Sequence, residues 1–128
     1  MIKFLTLNEV LIILQDQIRR YGGLYGVRDL ILLSSAVYMP QSSFNGEYLY
    51  KTIPAMAAAY LFYISQNLPF IDGNKRTSLA VSLVFLDING YALNCDNTAI
   101  YNETLKIAKE KIKKDILIEF YEKFAIKQ

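Results

Sequence analysis

Apolar residues along this chain recur every three or four positions, a spacing that places them on one face of an α-helix. The spacing predicts six helices with these bounds: Thr6 to the Gly22-Gly23 pair, Arg28 to Tyr38, Thr52 to Gln66, Asn74 or Lys75 to Asp87, Thr98 to Glu110, and Asp115 to Phe124. Thr6 and Glu9 can form a capping box at the first start, and Thr52 can cap the third helix. No segment shows the two-residue alternation of a strand, so any strand is expected to be short and confined to the loop after Tyr38.

The fourth predicted helix is apolar on nearly every side, with Leu79, Val81, Val84 and Phe85 spread around it. A helix of this kind in a soluble chain belongs at the centre of the core. We therefore expect an all-α fold, a compact six-helix bundle around this buried central helix. The 128 residues contain no repeat or linker, so residues 1–128 are expected to form a single domain.

Composition narrows the class of protein. The longest apolar run, Val10 to Leu14, is far shorter than the roughly 20 residues that a membrane span needs. The first residues lack the apolar stretch of a signal peptide, and the single cysteine, Cys95, suits a reducing cytoplasm. A net charge of +2 is too small to indicate nucleic-acid binding. The chain contains no histidine, which is the commonest general base.

Polar residues and glycine gather in the loop before the fourth helix, which reads Leu68-Pro69-Phe70-Ile71-Asp72-Gly73-Asn74-Lys75-Arg76-Thr77. A helix N-terminus presents unpaired backbone N–H groups and therefore attracts anions. Gly73 permits a sharp turn and a close approach to a ligand. Asn74 adds a donor, while Lys75 and Arg76 add two positive charges, and the arginine fork suits phosphate oxygens. These residues predict a nucleotide-phosphate site.

Asp72 stands beside this loop, and its carboxylate suits a Mg²⁺ ion that bridges phosphates. Ordinary turn chemistry is the alternative, in which Asp72 caps the fourth helix and Lys75 and Arg76 are solvated charges. Two cations at a helix start are unfavourable unless an anion accompanies them, so we favour the phosphate site. A Walker loop is excluded because Lys75 follows Asn74 rather than glycine.

The loop resembles the signature of the Fic/Doc family, His-Pro-Phe-x-Asp-Gly-Asn-Lys-Arg-Thr. The matching positions are Pro69, Phe70, Asp72, Gly73, Asn74, Lys75, Arg76 and Thr77. Flanking segments resemble the family as well, so the resemblance covers about residues 4–95. Lys75 stands where AMP-transferring Fic enzymes have glycine, and Leu79 stands where they have a second arginine. Both residues point to the death-on-curing branch.

The resemblance implies a role for each loop residue. Arg76 and Asn74 would hold the phosphates, Asp72 would hold Mg²⁺, and Phe70 would pin the loop to the core. The implied nucleotide-binding set is Gly73, Asn74, Lys75, Arg76 and Thr77. The implied catalytic set is Leu68, Asp72, Asn74, Lys75 and Arg76.

The resemblance also implies a flap, a short hairpin along which a target segment lies as an added strand. Its docking residues would be Phe44, Tyr48, Leu49 and Tyr50. The alternative is a plain surface loop with Phe44 tucked against the core.

Death-on-curing toxins transfer phosphate from ATP to a threonine of elongation factor Tu in the bacterial cytoplasm and so block translation. A paired antitoxin inhibits them by folding a disordered segment onto the toxin. The resemblance thus implies a protein kinase that uses ATP and Mg²⁺, with an antitoxin and elongation factor Tu, or another protein target, as partners. Transfer of AMP and non-catalytic binding of nucleotide or antitoxin are the alternatives. The stripe from Ile116 to Phe124 either closes the core or, if exposed, forms an antitoxin groove.

Leu68 departs from the signature, because the family has its catalytic histidine at this position. Leucine cannot accept a proton, and general-base catalysis contributes roughly 10²–10⁴-fold. We therefore expect a chain that binds nucleotide yet transfers phosphate very slowly or not at all. Leu68 either silences an otherwise toxic enzyme or marks a member that has become a binding protein. If Leu68 finds cover against Phe70 and the fourth helix, its burial is worth up to roughly 1–2 kcal/mol.

Overall fold

The computed structural model describes residues 1–96, 98–100, 102, 106 and 113–128. The helices with complete bounds are α1 (Leu7–Tyr21), α2 (Leu30–Tyr38), α3 (Ile53–Asn67), α4 (Asn74–Ile88) and α5 (Lys114–Phe124), with a 3₁₀ turn at Met39–Gln41. The predicted helix from Thr98 to Glu110 lies mostly outside the described residues, although Thr98 to Ile100 are helical. None of the described helices is long and apolar enough to cross a membrane. The all-α prediction is confirmed.

Side-chain caps explain where the first three helices begin. The Oγ1 atom of Thr6 accepts a bond from the N–H of Glu9, and Glu9 accepts one from the N–H of Thr6, so the predicted capping box is confirmed. Thr52 caps α3 as predicted, by accepting a bond from the N–H of Ala55. Asp29 caps α2, so this helix begins after Arg28 rather than at it.

The central helix is α3, and the prediction that the fourth helix holds this place is wrong. Ten of the 15 residues of α3 are buried, and the helix packs against α2, α4 and α5. Its alanine run, Ala57 to Ala59, is fully buried and lets neighbouring helices approach closely. Helix α4 instead leaves Leu79 and Leu83 half-buried and Val84 exposed. Apolar residues on all sides of α4 therefore create an apolar surface rather than a wholly buried helix.

Two small antiparallel sheets complete the described part of the fold. Strand β1 (Ser43–Phe44) pairs with β2 (Glu47–Tyr48) in the hairpin predicted after Tyr38. Its turn residues Asn45 and Gly46 have φ values of 52° and 78°, as a two-residue hairpin turn requires. The second sheet pairs β3 (Tyr91–Leu93) with β4 (Ala125–Lys127). The prediction that strands are confined to the loop after Tyr38 is therefore wrong, since three-residue strands are too short to show an alternating pattern.

A buried hydrogen bond ties α4 to α5. The hydroxyls of Ser82 and Tyr121 are 2.6 Å apart, and both residues are almost completely buried. Ser82 also donates to the backbone carbonyl of Leu79 at 2.8 Å. Burial raises the pKa of Tyr121, so this hydroxyl stays neutral and needs its partner. Without Tyr121, Ser82 keeps its bond to Leu79, whereas without Ser82 the buried Tyr121 hydroxyl loses that partner.

Replacing Ser82 with alanine should lower the free energy of unfolding by about 1–3 kcal/mol, because the Tyr121 hydroxyl is then buried without a partner. Tyr121→Phe should cost less, since Ser82 keeps its bond to Leu79. Urea denaturation of both single variants and the double variant measures the difference. If Ser82→Ala lowers the free energy of unfolding by the same amount as Tyr121→Phe, or by less, the Tyr121 hydroxyl does not depend on Ser82 as inferred.

Candidate active site

The loop between α3 and α4 is held by backbone bonds from the segment 24–29. The N–H groups of Arg28 and Asp29 donate to the carbonyl of Pro69 at 2.7 and 3.2 Å. Two residues after Pro69, the N–H of Ile71 donates to the carbonyl of Gly26 at 3.0 Å. A side chain at Gly26 would come within 2.6 Å of the end of the Ile71 side chain, which is half exposed and would have to move aside.

Asp72 is turned away from the helix that follows it. Its Oδ2 atom accepts a bond from the N–H of Leu24 at 2.8 Å, and no side chain caps α4. The alternative in which Asp72 caps this helix is therefore wrong. Its Oδ1 atom has no hydrogen bond to the part of the chain that the structure describes. One free carboxylate oxygen suits a Mg²⁺ ion, which takes one or two carboxylates together with substrate phosphates.

Asn74 shapes the loop from within. Its Oδ1 atom accepts a bond from the N–H of Phe70 at 2.9 Å, and its Nδ2 atom donates to the carbonyl of Phe70 at 3.0 Å. Phe70 itself is 1% exposed, which confirms that it pins the loop to the core. Because both ends of the Asn74 amide bond to Phe70, we assign this side chain to loop geometry. The second N–H of Nδ2 and the backbone N–H are then left for a phosphate.

The N-termini of α4 and α5 lack a side-chain cap, whereas those of α1, α2 and α3 have one. Gly73 occupies the cap position in the left-handed conformation, with φ of 77°. Lys75 and Arg76 follow in the first turn and are exposed. An uncapped start with two exposed cations attracts an anion through its N–H groups, its dipole and its charges.

Thr77 lies beneath this loop. The residue is fully buried, and its Oγ1 atom has no hydrogen-bond partner among the described residues. A side chain at Gly73 would come within 3.6 Å of this hydroxyl, so Thr77 stands directly behind the turn. The structure thus separates Thr77 from the exposed residues of the predicted nucleotide-binding set.

Arg76 faces a cleft between α1 and α4. Its guanidinium carbon lies 4.8 Å from the ring centre of Tyr21, a cation–π contact. The cleft has a volume of about 370 Å³ and is also lined by Leu79 and Leu83. A second cleft of about 500 Å³ continues along the same two helices, between the exposed residues Ile12 and Val84. The apolar surface of α4 is therefore continuous with the cationic site.

Leu68 ends α3 in the left-handed conformation, with φ of 46° and ψ of 54°. Leu68 is 49% exposed, so the condition for a gain from its burial, cover against Phe70 and the fourth helix, is not met. Few non-glycine residues adopt this backbone conformation, and histidine, asparagine and aspartate do so more readily than leucine. The backbone at this position therefore suits the residue that the signature has, rather than the one present.

The hairpin β1–β2 agrees only in part with the predicted docking flap. Phe44, Tyr48 and Leu49 are exposed, so the alternative in which Phe44 is tucked in is wrong. Tyr50 is 7% exposed, and its hydroxyl lies 2.8 Å from that of Tyr63. Tyr50 is therefore a core residue rather than a docking residue.

Arg28 is a site residue to which the sequence assigned no role beyond the resemblance of its segment to the family. Its guanidinium donates to the carbonyls of Asn67 and Leu68, at the end of α3. The sequence pattern does not predict these bonds, because they join residues about 40 positions apart. Metal ligation by protein groups alone is not indicated, since the described residues include no cluster of three acidic, histidine or cysteine side chains.

Comparisons with known proteins agree with this geometry. The chain matches the Fic/DOC family over residues 4–86, and it therefore belongs to that family. It is similar to the Doc toxin of Mycolicibacterium smegmatis, with 42% identity over 76 residues. This stretch covers 59% of the chain and 58% of that relative. The family resemblance read from the loop is confirmed, including its closeness to the Doc toxins.

The backbone at position 68 generates a stability prediction. Leu68→Asn should raise the free energy of unfolding and Leu68→Val should lower it, with a difference of about 1 kcal/mol, because β-branched residues tolerate positive φ worst. The free energy of unfolding of Leu68→His should equal or exceed that of the parent. Urea denaturation measures all three, with the slope checked for each variant. Equal stability of the asparagine and valine variants contradicts a left-handed residue 68.

Proposed function

We propose that this chain is a Doc-like toxin of a toxin–antitoxin system, built to transfer the γ-phosphate of ATP to a protein hydroxyl. The observation that carries the proposal is the uncapped start of α4, with exposed Lys75 and Arg76 beside the free oxygen of Asp72. A site of this kind binds phosphates and positions them. Similarity to a Doc toxin supports a toxin over other phosphate-binding proteins.

Each loop group has one task in the proposed reaction. The backbone N–H groups at the start of α4 hold phosphate oxygens, and the fork of Arg76 binds them in pairs. Asp72 would hold Mg²⁺, which neutralises charge on the phosphates when it is bound. Phe70 and Asn74 keep the loop in the shape that presents these donors. Positioning and charge supply most of the catalysis in phosphoryl transfer, so these groups account for binding and orientation.

The side chain at position 68 would receive the proton of the attacking hydroxyl. In the transfer, the hydroxyl oxygen bonds to the γ-phosphorus, the bond to the bridging oxygen breaks, and ADP leaves. Leu68 cannot take the proton, which costs roughly 10²–10⁴-fold in rate. The proposed toxin is therefore inactive or nearly so with Leu68 in place, while its phosphate site is intact.

A threonine of elongation factor Tu is the proposed target, and an antitoxin is the proposed partner. The cleft between α1 and α4 supports an antitoxin site, because it is open and because its part beside Arg76 is mainly apolar. A segment lying there would reach the cationic residues and compete with phosphate. The alternative groove on α5 has less support, since Leu117 and Tyr121 of that helix are buried in the core and only Ile116 of its apolar stripe is exposed.

A non-catalytic binding module is the second candidate, and the leucine at position 68 favours it. In that case the loop binds nucleotide without transfer, or the chain captures an antitoxin. AMP transfer has less support, because Leu79 stands where a second arginine would be and lines the cleft beside Arg76.

Arg76→Ala should weaken binding of ATP with Mg²⁺ by about tenfold or more, equivalent to about 1.4 kcal/mol. The guanidinium fork is lost there, while the uncapped helix start remains. Isothermal calorimetry measures the affinity, and Arg20→Ala is the matched control because Arg20 pairs with Asp16 on α1. Equal affinity in the parent and Arg76→Ala shows that the phosphates bind elsewhere.

Leu68→His should restore transfer, because it returns the proton acceptor to an otherwise complete loop. Incubation with ATP labelled at the γ-phosphate should label elongation factor Tu, whereas label from the α-phosphate would indicate AMP transfer. Induction of Leu68→His in bacteria should arrest growth, and the Leu68→His/Asp72→Ala double variant should not. Folded Leu68→His protein that transfers neither label and permits normal growth would favour the binding module.

A further inference from the structure

The guanidinium of Arg28 forms hydrogen bonds to the C-terminal end of α3, immediately before the loop. Its Nε and Nη2 atoms donate to the carbonyl of Leu68 at 2.8 and 2.6 Å, and Nη2 also reaches the carbonyl of Asn67 at 3.2 Å. Carbonyls at a helix C-terminus lack partners within the helix and carry its negative dipole end. A cation with several N–H donors satisfies both demands.

The backbone of Arg28 fixes the next residue of the same stretch. Its N–H donates to the carbonyl of Pro69 at 2.7 Å, so one residue contacts three successive carbonyls. Leu68 lies in the middle of these three, in a left-handed conformation that costs about 1–2 kcal/mol outside glycine. Strained residues persist only where their surroundings determine them strongly. The bonds from Arg28 provide that determination.

We propose that Arg28 is a positioning residue for the side chain at position 68. The inference rests on the proposed function, in which that side chain takes the proton. Arg28 touches only backbone carbonyls there, so it acts through residue 68 and is not itself catalytic. The direction of a side chain follows from the φ and ψ of its own residue, and Arg28 holds both by fixing the carbonyls on either side. Lysine can replace the charge but not the two-atom fork.

Kinetics in the Leu68→His chain test the role in catalysis, with Arg28→Met, Arg28→Lys and the control Arg20→Met. Arg28→Met should lower kcat by about 100-fold, the effect of misplacing a catalytic group by about 1 Å. The KM for ATP and the calorimetric affinity for ATP should stay at the Leu68→His values. The kcat of Arg28→Lys should lie between the kcat of the Leu68→His chain and that of Arg28→Met. Equal losses in kcat and in ATP affinity would show a general structural role and overturn the proposal.

A second measurement needs no activity and uses the chain with Leu68. The backbone ¹³C shifts and the N–H to Hα coupling of residue 68 report its left-handed conformation. Arg28→Met should abolish that signature, while Arg20→Met should keep it. A left-handed residue 68 in folded Arg28→Met overturns the proposal. If the methionine variant does not fold, an undiminished left-handed signature in Arg28→Lys overturns it instead. If every Leu68→His protein is inactive while this signature behaves as expected, the proposed function fails and the positioning stands.

Discussion

The turn between α3 and α4 depends on hydrogen bonds from the segment 24–29, and the rest of the candidate site depends on that turn. Pro69 and Ile71 bond to this segment through their backbones, and Asp72 bonds to it through its side chain. These bonds divert the one acidic side chain that could have capped α4. Within the described residues the start of α4 is left with N–H donors and no side-chain cap, which is the condition for binding an anion.

Loop shape and ligand binding are divided between neighbouring residues. Asn74 and Phe70 close the loop internally, whereas Lys75 and Arg76 remain exposed. This division lets the loop keep its shape through Asn74 and Phe70 while Lys75 and Arg76 face solvent. The Arg76 guanidinium rests on the ring of Tyr21, so its charge has a favourable contact that a phosphate can replace or share.

Local signals made much of the fold predictable, and long-range contacts account for the errors. Thr6 and Thr52 marked two helix starts because a cap acts within three residues. The central position of α3, the β3–β4 pair and the burial of Tyr50 depend on partners far along the chain, which periodicity does not encode. The loop was found because its residues are consecutive. Arg28 was missed because its partners lie 40 positions away.

The environment of Leu68 bears on why leucine stands there. The side chain is half exposed, so burial does not explain it, and the left-handed backbone disfavours it. Arg28 still holds the two carbonyls around this position, although leucine makes no use of a defined direction. The backbone thus keeps a geometry suited to a residue that the chain lacks. Packing and backbone preference both argue against leucine at position 68, so its effect must be sought in the chemistry that it removes.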